Sequence, residues 1–186
     1  MKPLKVLIAT PEAIPFAKTG GLADVAGALP KVLNSLSCDT RIIMPLYRHV
    51  QEGGFNFKPT GIQVAVQMGF REIGVSVFKA EVNGITAYFL KRDEYYDRKY
   101  LYTMPDGDYF DNAERFILFS RGVLEALKKL DFQPDIIHCH DWQTGLISAF
   151  LKTIYKNDPF FADTKTVFTI HNIAYQGQFP KSHFQL

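Results

Sequence analysis

Short apolar runs recur along the chain and are typical of buried β-strands. They lie at residues 6–9, 41–44, 135–139 and 166–170. The first run, Val6-Leu7-Ile8-Ala9, is rich in β-branched residues and shows no polar alternation. Such a run suits a strand that is covered on both faces, as in a parallel sheet.

Between these runs, apolar residues follow helical spacing. The clearest stripe is formed by Leu22, Val25, Ala26, Leu29, Val32, Leu33 and Leu36, and it predicts an amphipathic helix. Pro30 lies inside this stripe and predicts a kink or an early end. Asp111 resembles an N-cap with Glu114 at the third helical position, which predicts a helix to about residue 130. A third helix is predicted from about residue 142 to residue 155.

The segment 62–90 has a different pattern. Apolar residues alternate with other residues from Ile62 to Met68, and Asn83-Gly84 then joins two β-rich stretches. Asn-Gly between such stretches is the strongest short hairpin signal. The remaining strand–helix–strand order favours an α/β fold with a Rossmann-like, doubly wound and mostly parallel sheet, into which a β-hairpin is inserted.

Composition narrows the class of protein. The 186 residues are 47% hydrophobic and 22% charged, with a formal net charge of +2, which excludes disorder and gives no footprint for nucleic acid. Cys38 and Cys139 are too few for a disulfide framework and favour a cytoplasmic protein with reduced thiols. No apolar run approaches the roughly 18 residues that a membrane span needs, so no membrane partner is expected. The run at residues 6–9 is also too short for a secretory signal.

Polar residues cluster after three predicted strands. In doubly wound sheets, ligands bind beyond the carboxyl ends of the strands, so these three loops are expected to share one crevice. In the first loop, Lys18-Thr19-Gly20-Gly21 leads into a helix. Glycines let backbone N–H groups approach a ligand, and a helix N-terminus with a lysine favours an anion such as phosphate. An ordinary strand-to-helix connection stays open, and neither dinucleotide-binding nor P-loop spacing is present.

Histidines mark the other two loops. His138 and His140 lie two residues apart and precede Asp141, while His171 follows the last strand. A metal-dependent hydrolase built on these four residues is one alternative, although zinc asks for three or four well-placed ligands. Asp141 also suits a helix N-cap. No metal and no cofactor are expected.

Tyrosines are interleaved with charges in the segment 91–109. Their aromatic faces and hydroxyl groups suit sugar rings, so Tyr95 and Tyr96 are candidate contacts for a carbohydrate acceptor. A solvated surface loop is the plainer interpretation.

Four motifs together carry a family resemblance. They are the stretch from Lys18 to Pro30, residues 111–116, His140-Asp141-Trp142, and residues 168–177. In this order they resemble bacterial glycogen synthases and plant starch synthases, the retaining glucosyltransferases that use ADP-glucose and have the GT-B fold. The resemblance covers nearly the whole chain.

The resemblance implies roles for particular residues. Lys18 corresponds to the lysine that contacts the ADP-glucose donor, and Gly20 and Gly21 to the backbone against its phosphates and glucose. Asp141 corresponds to the acidic residue on the donor-glucose and acceptor side, and His171 to the histidine beside the transferred glucose. The implied reaction transfers glucose to the non-reducing end of an α-1,4-glucan such as glycogen, without a metal.

The resemblance also implies that residues 1–186 form an incomplete N-terminal domain. A C-terminal nucleotide-binding domain of the same polypeptide, which would complete the site, is expected outside this chain. The chain alone is therefore expected to be inactive. A non-catalytic glucan-binding or regulatory domain remains the alternative from a different functional class.

Overall fold

We describe a computed structural model of the chain, which covers residues 2–185. The strands are β1 Lys5–Ala9, β2 Asp39–Pro45, β3 Lys58–Met68, β4 Arg71–Val82, β5 Ile85–Lys91, β6 Thr103–Met104, β7 Gly107–Asp108, β8 Ile136–His140 and β9 Lys165–Thr169. The helices are α1 Gly21–Ser35, α2 Arg48–Glu52, α3 Asp93–Tyr96, α4 Asn112–Lys129 and α5 Gly145–Lys152. Short 3-10 helices lie at Trp142–Thr144, Pro159–Phe161 and Lys181–Gln185.

Seven strands form one sheet in the order β3-β4-β5-β2-β1-β8-β9. Five neighbouring strands, β5, β2, β1, β8 and β9, run parallel, and β3 and β4 add antiparallel strands beside β5. From β1 the chain first adds strands on one side and later, with β8 and β9, on the other. This reversal of direction is the topological switch point of a doubly wound sheet. The predicted α/β class is confirmed.

Helices cover both faces of the sheet. α1 and the strand residue Ala87 border the same small groove. On the opposite face, a Cβ added at Gly122 of α4 would lie 3.0 Å from Leu90 Cδ1. Ala87 and Leu90 are an odd number of positions apart on β5, so their side chains project from opposite faces. Leu7 and Ile8 of the central strand are both fully buried, as the uninterrupted apolar run predicts.

The predicted hairpin is present. β4 and β5 pair antiparallel, with Val82 opposite Ile85. Asn83 and Gly84 between them both have positive φ, 54° and 75°, as a two-residue turn of this kind requires. β5 also pairs parallel with β2, so the hairpin is an extension of the main sheet.

Three local predictions need correction. α1 continues through the buried Pro30 to Ser35, so the predicted early end is wrong. Asp111 does precede α4, but its carboxylate accepts from Arg98 at 2.5 Å instead of capping the helix. The third predicted helix is split into a 3-10 turn and α5, which ends at Lys152. Within residues 2–185, no helix has both the length and the apolar character of a membrane span.

Candidate active site

The loops that follow β1, β8 and β9 border one cavity of about 1180 Å³ at the switch point. Five predicted site residues line it: Lys18, Gly20, Gly21, Asp141 and His171. The parallel register explains this clustering, because β1 pairs with β8 and β8 pairs with β9. Their carboxyl ends therefore lie at the same edge of the sheet.

The loop from Lys18 to Gly21, called the glycine loop below, leaves open space beside the cavity. Gly20 is extended, Gly21 begins α1, and a Cβ added at either would meet no atom within 4 Å. Packing within the described chain therefore does not require glycine at these two positions. Lys18 Nζ donates to both oxygens of Asp24, at 2.6 and 2.8 Å, and both side chains are half-exposed. Such an exposed ion pair is weak, which leaves the ammonium free to exchange partners.

A buried carboxylate that the sequence analysis did not identify holds this loop in place. Glu12 accepts hydrogen bonds from the backbone N–H of Thr19 at 2.5 Å and from its hydroxyl at 2.6 Å. It also accepts from the Tyr102 hydroxyl at 2.8 Å and, more weakly, from the N–H of Gly20 at 3.4 Å. Glu12 thus ties the glycine loop to Tyr102, which lines the same cavity.

Replacing Glu12 by Gln is expected to loosen the loop. The amide keeps one acceptor oxygen and turns an NH₂ group towards donors, so at least one buried donor loses its partner. We expect a loss of about 1–3 kcal/mol in the free energy of unfolding, measured by urea denaturation. Glu81→Gln, at an exposed position of β4, is the control and should change it by less than about 0.5 kcal/mol. Equal urea midpoints for the two variants would show that Glu12 does not support the loop.

Asp141 has an unusual backbone. Its φ of 57° and ψ of 178° lie at the edge of a region that is accessible almost only to glycine. Asp141 does stand at the N-cap position of the 3-10 helix that follows, but its side chain makes no capping bond to it. Instead, Oδ1 accepts the backbone N–H of His171 at 2.7 Å. Asp141 therefore joins the β8 loop to the β9 loop.

This strain can be measured with two substitutions. Asp141→Ala and Asp141→Gly both remove the acceptor, but only glycine relieves the backbone. We expect Asp141→Gly to be more stable than Asp141→Ala by about 1–2 kcal/mol in thermal or urea unfolding.

The control is the same pair of substitutions at Asp163, an exposed residue whose φ is not positive. There the alanine variant should be at least as stable as the glycine variant. The same order at both positions would contradict strain at Asp141.

The three histidines pair with specific partners. His138 Nε2 lies 2.7 Å from Thr169 Oγ1, and His140 Nδ1 lies 2.8 Å from His171 Nε2. The rings of His140 and His171 are nearly parallel, with centroids 5.1 Å apart. Burial, and then the neighbouring His138 and His171, lower the pKa of His140 to about 3. Within residues 2–185, no group of three or more His, Cys, Asp or Glu side chains is arranged to hold a metal ion.

A close packing contact links the same two loops again. Gly177, with φ of 63°, lies against Trp142, and a Cβ there would come within 2.6 Å of Trp142 Cε3. Trp142 also packs edge-on against Phe116 of α4, with ring centroids 5.0 Å apart. Only glycine fits at position 177 without moving the indole.

The predicted acceptor tyrosines do not reach the cavity. Tyr96 is fully buried and donates its hydroxyl to the Arg115 carbonyl at 2.9 Å, while the Tyr95 hydroxyl donates to Glu114. Helix α3 turns both rings inward. Tyr100 and Tyr102, further along the same segment, line the cavity instead.

Comparison with known proteins decides the family. A family model described as the starch synthase catalytic domain matches residues 5–186. The chain belongs to this family. Glycogen synthase from Syntrophotalea carbinolica is 49% identical over 177 residues, which are 95% of this chain and 37% of that protein. Glycogen synthase from Desulforamulus reducens is 45% identical over 185 residues, which are 98% and 37% of the two chains.

A solved structure supports the same assignment. The starch synthase catalytic domain of starch synthase IV from Arabidopsis thaliana, bound to ADP and acarbose, superposes with a TM-score of 0.86 at 29% identity. The match covers 99% of this chain and 37% of that one. The chain thus spans a little over a third of the length of these starch and glycogen synthases.

Proposed function

We propose that this chain forms the N-terminal Rossmann-like domain, itself incomplete, of a glycogen synthase with a GT-B fold. In this proposal a C-terminal nucleotide-binding domain lies in the part of the longer polypeptide that the chain does not include. The longer protein transfers glucose from ADP-glucose to the non-reducing end of an α-1,4-glucan with retention. The relatives named glycogen synthase and the neighbour bound to ADP and acarbose support this function.

One observation carries the proposal: Lys18, the glycine loop, Asp141 and His171 border a single cavity at the switch point of the sheet. A sugar nucleotide needs a cationic and N–H-rich surface for its diphosphate and oriented polar groups for its sugar. The first loop supplies the former, through Lys18 and the backbone at Gly20 and Gly21. The loops after β8 and β9 supply the latter.

The chemistry of the transfer fits this division. Departure of ADP leaves a diphosphate with growing negative charge and a sugar with oxocarbenium character. We assign stabilisation of the diphosphate to Lys18 and the loop amides, with no metal or cofactor. His171 and Asp141 contact and orient the transferred glucose on the side where the acceptor arrives.

Two further aspects belong to the same proposal. Cys38 and Cys139 are both free thiols, which supports a cytoplasmic location. The partners are ADP-glucose and the glucan, and neither nucleic acid nor a membrane is needed for the function.

The test is a transfer assay on the longer polypeptide. With ADP-glucose and glycogen it should release ADP and incorporate glucose, and the His171→Ala variant should do so much more slowly. The same assay with UDP-glucose in place of ADP-glucose measures the preference for the nucleotide base of the donor. Glycogen co-sedimentation without release of nucleotide from either donor would instead favour the non-catalytic glucan-binding domain.

A further inference from the structure

We propose that His140 is a positioning residue that donates a hydrogen bond to His171 and thereby makes Nδ1 of His171 a hydrogen-bond donor towards the ligand. The tautomer part of this proposal stands on the geometry of the chain alone. The ligand part rests on the proposed function.

One N–H hydrogen bond joins the two rings. His140 Nδ1 and His171 Nε2 lie 2.8 Å apart, so one nitrogen donates and the other accepts. Coordinates of heavy atoms alone do not say which one carries the hydrogen. The surroundings of the remaining ring nitrogens decide it.

His140 itself is neutral in the fold. Its side chain lies fully buried on β8, and the tilted ring of His138 and the nearly parallel ring of His171 lie 4.2 and 5.1 Å away, centroid to centroid. No carboxylate contacts its ring among the hydrogen bonds of the described residues. A buried imidazolium without a compensating anion is strongly disfavoured, which agrees with the lowered pKa of His140.

The second nitrogen of His140 selects the tautomer. Its Nε2 is buried and has no hydrogen-bond partner among the described residues. If His171 donated to His140, the hydrogen of His140 would lie on Nε2 as a buried N–H without an acceptor. If His140 donates from Nδ1, Nε2 carries only an unused lone pair. Orphaned buried donors are rarer than under-used acceptors, so the second arrangement is the stable one.

The consequence falls on His171. Its Nε2 accepts from His140, so its own hydrogen lies on Nδ1, and no protein group among the described residues is hydrogen-bonded to that atom. The backbone N–H of His171 donates to Asp141, which fixes the position of the backbone from which the imidazole extends. Since His171 lines the cavity, it presents an N–H donor, and the matching ligand group is an acceptor oxygen such as a sugar hydroxyl.

The test for the tautomer is ¹⁵N NMR of the imidazole nitrogens in the 186-residue chain at neutral pH. We expect His171 to show a protonated Nδ1 and a bare Nε2. His140→Asn places an amide nitrogen at the same number of bonds from Cα as Nδ1, so it should keep this signature. His140→Leu removes the donor and should return His171 to a mixture of tautomers.

His138→Asn is the matched control, because His138 is on the same strand but pairs with Thr169. It should leave the His171 spectrum unchanged. A protonated Nε2 on His171 in the unsubstituted chain overturns the proposal, and this result does not depend on whether any variant folds.

A second readout uses the longer polypeptide. With ADP-glucose and glycogen, His140→Leu should lower kcat/KM about tenfold, the net contribution of about one hydrogen bond, while His140→Asn should retain most of it. Equal losses for both variants would contradict a donor role of His140. If the unsubstituted protein transfers no glucose but the NMR signature is present, the proposed function fails and the positioning role stands.

Discussion

The 186-residue chain by itself should release no ADP from ADP-glucose when glycogen is supplied. In this chain, the cavity is bordered by the loops that follow β1, β8 and β9 and by the segment around Tyr100 and Tyr102. In the proposed enzyme, cationic and acidic groups of a second domain complete the surface around the departing diphosphate. Because the loss of even one preorganised donor costs about 10²–10³ in rate, the loss of a whole domain should reduce turnover below detection.

This experiment needs proof that the chain is folded. Far-UV circular dichroism and a cooperative urea transition supply that proof, and the longer polypeptide, assayed in parallel, is the positive control. Robust ADP release that depends on glycogen, from the purified 186-residue chain, would show that these residues suffice and would overturn the two-domain proposal.

Replacing Lys18 by Ala in the longer polypeptide should lower kcat/KM about 10²–10³-fold, the cost of removing one stabilising charge from a transition state. The unfolding midpoint should change little, because the exposed pair of Lys18 with Asp24 contributes at most about 1 kcal/mol. A large kinetic effect with a small effect on stability is the signature of a ligand-binding lysine.

Three variants on the same segment sharpen this test. Lys31→Ala removes an exposed lysine of α1 outside the cavity and should leave the kinetics unchanged. Lys18→Arg keeps the charge in a different geometry and should fall between alanine and the native residue. Asp24→Asn removes the carboxylate that competes for Lys18 and should not weaken the binding of ADP-glucose. Equal kcat/KM for Lys18→Ala and Lys31→Ala would exclude Lys18 from the diphosphate site.

Patterning and turn chemistry predicted the framework of this fold. Short β-rich runs located β1, β2, β8 and β9, helical spacing located α1, the motif at Asp111 and Glu114 located α4, and Asn83-Gly84 located the hairpin. At β1 and α1 the pattern succeeds because burial on both faces, or along one stripe, constrains residue type directly, and at the hairpin because a positive φ does so. β9 was expected to be buried too, but it lies at the edge of the sheet, where Val167 and Phe168 are 45% and 44% exposed. The convergence of Lys18, Asp141 and His171 followed from topology, since parallel strands end at one edge.

Features that depend on tertiary partners escaped the same reasoning. Asp111 looked like a cap, but Arg98 from a distant loop binds it. Tyr95 and Tyr96 looked accessible, but α3 folds them inward. Glu12 belongs to no periodic pattern in the sequence, because its role depends on four hydrogen-bond donors that only the folded chain brings together. The pairing of His140 with His171 likewise exists only because β8 and β9 are neighbours.

The loops after β8 and β9 are fastened to each other at several points. The Asp141 carboxylate holds the backbone of His171, one N–H hydrogen bond joins the two imidazoles, and Gly177 presses on the indole of Trp142. These contacts couple the two loops into one unit at the rim of the cleft. A displacement of either loop, by an arriving sugar or by a second domain, would therefore be passed on to His171 through these contacts.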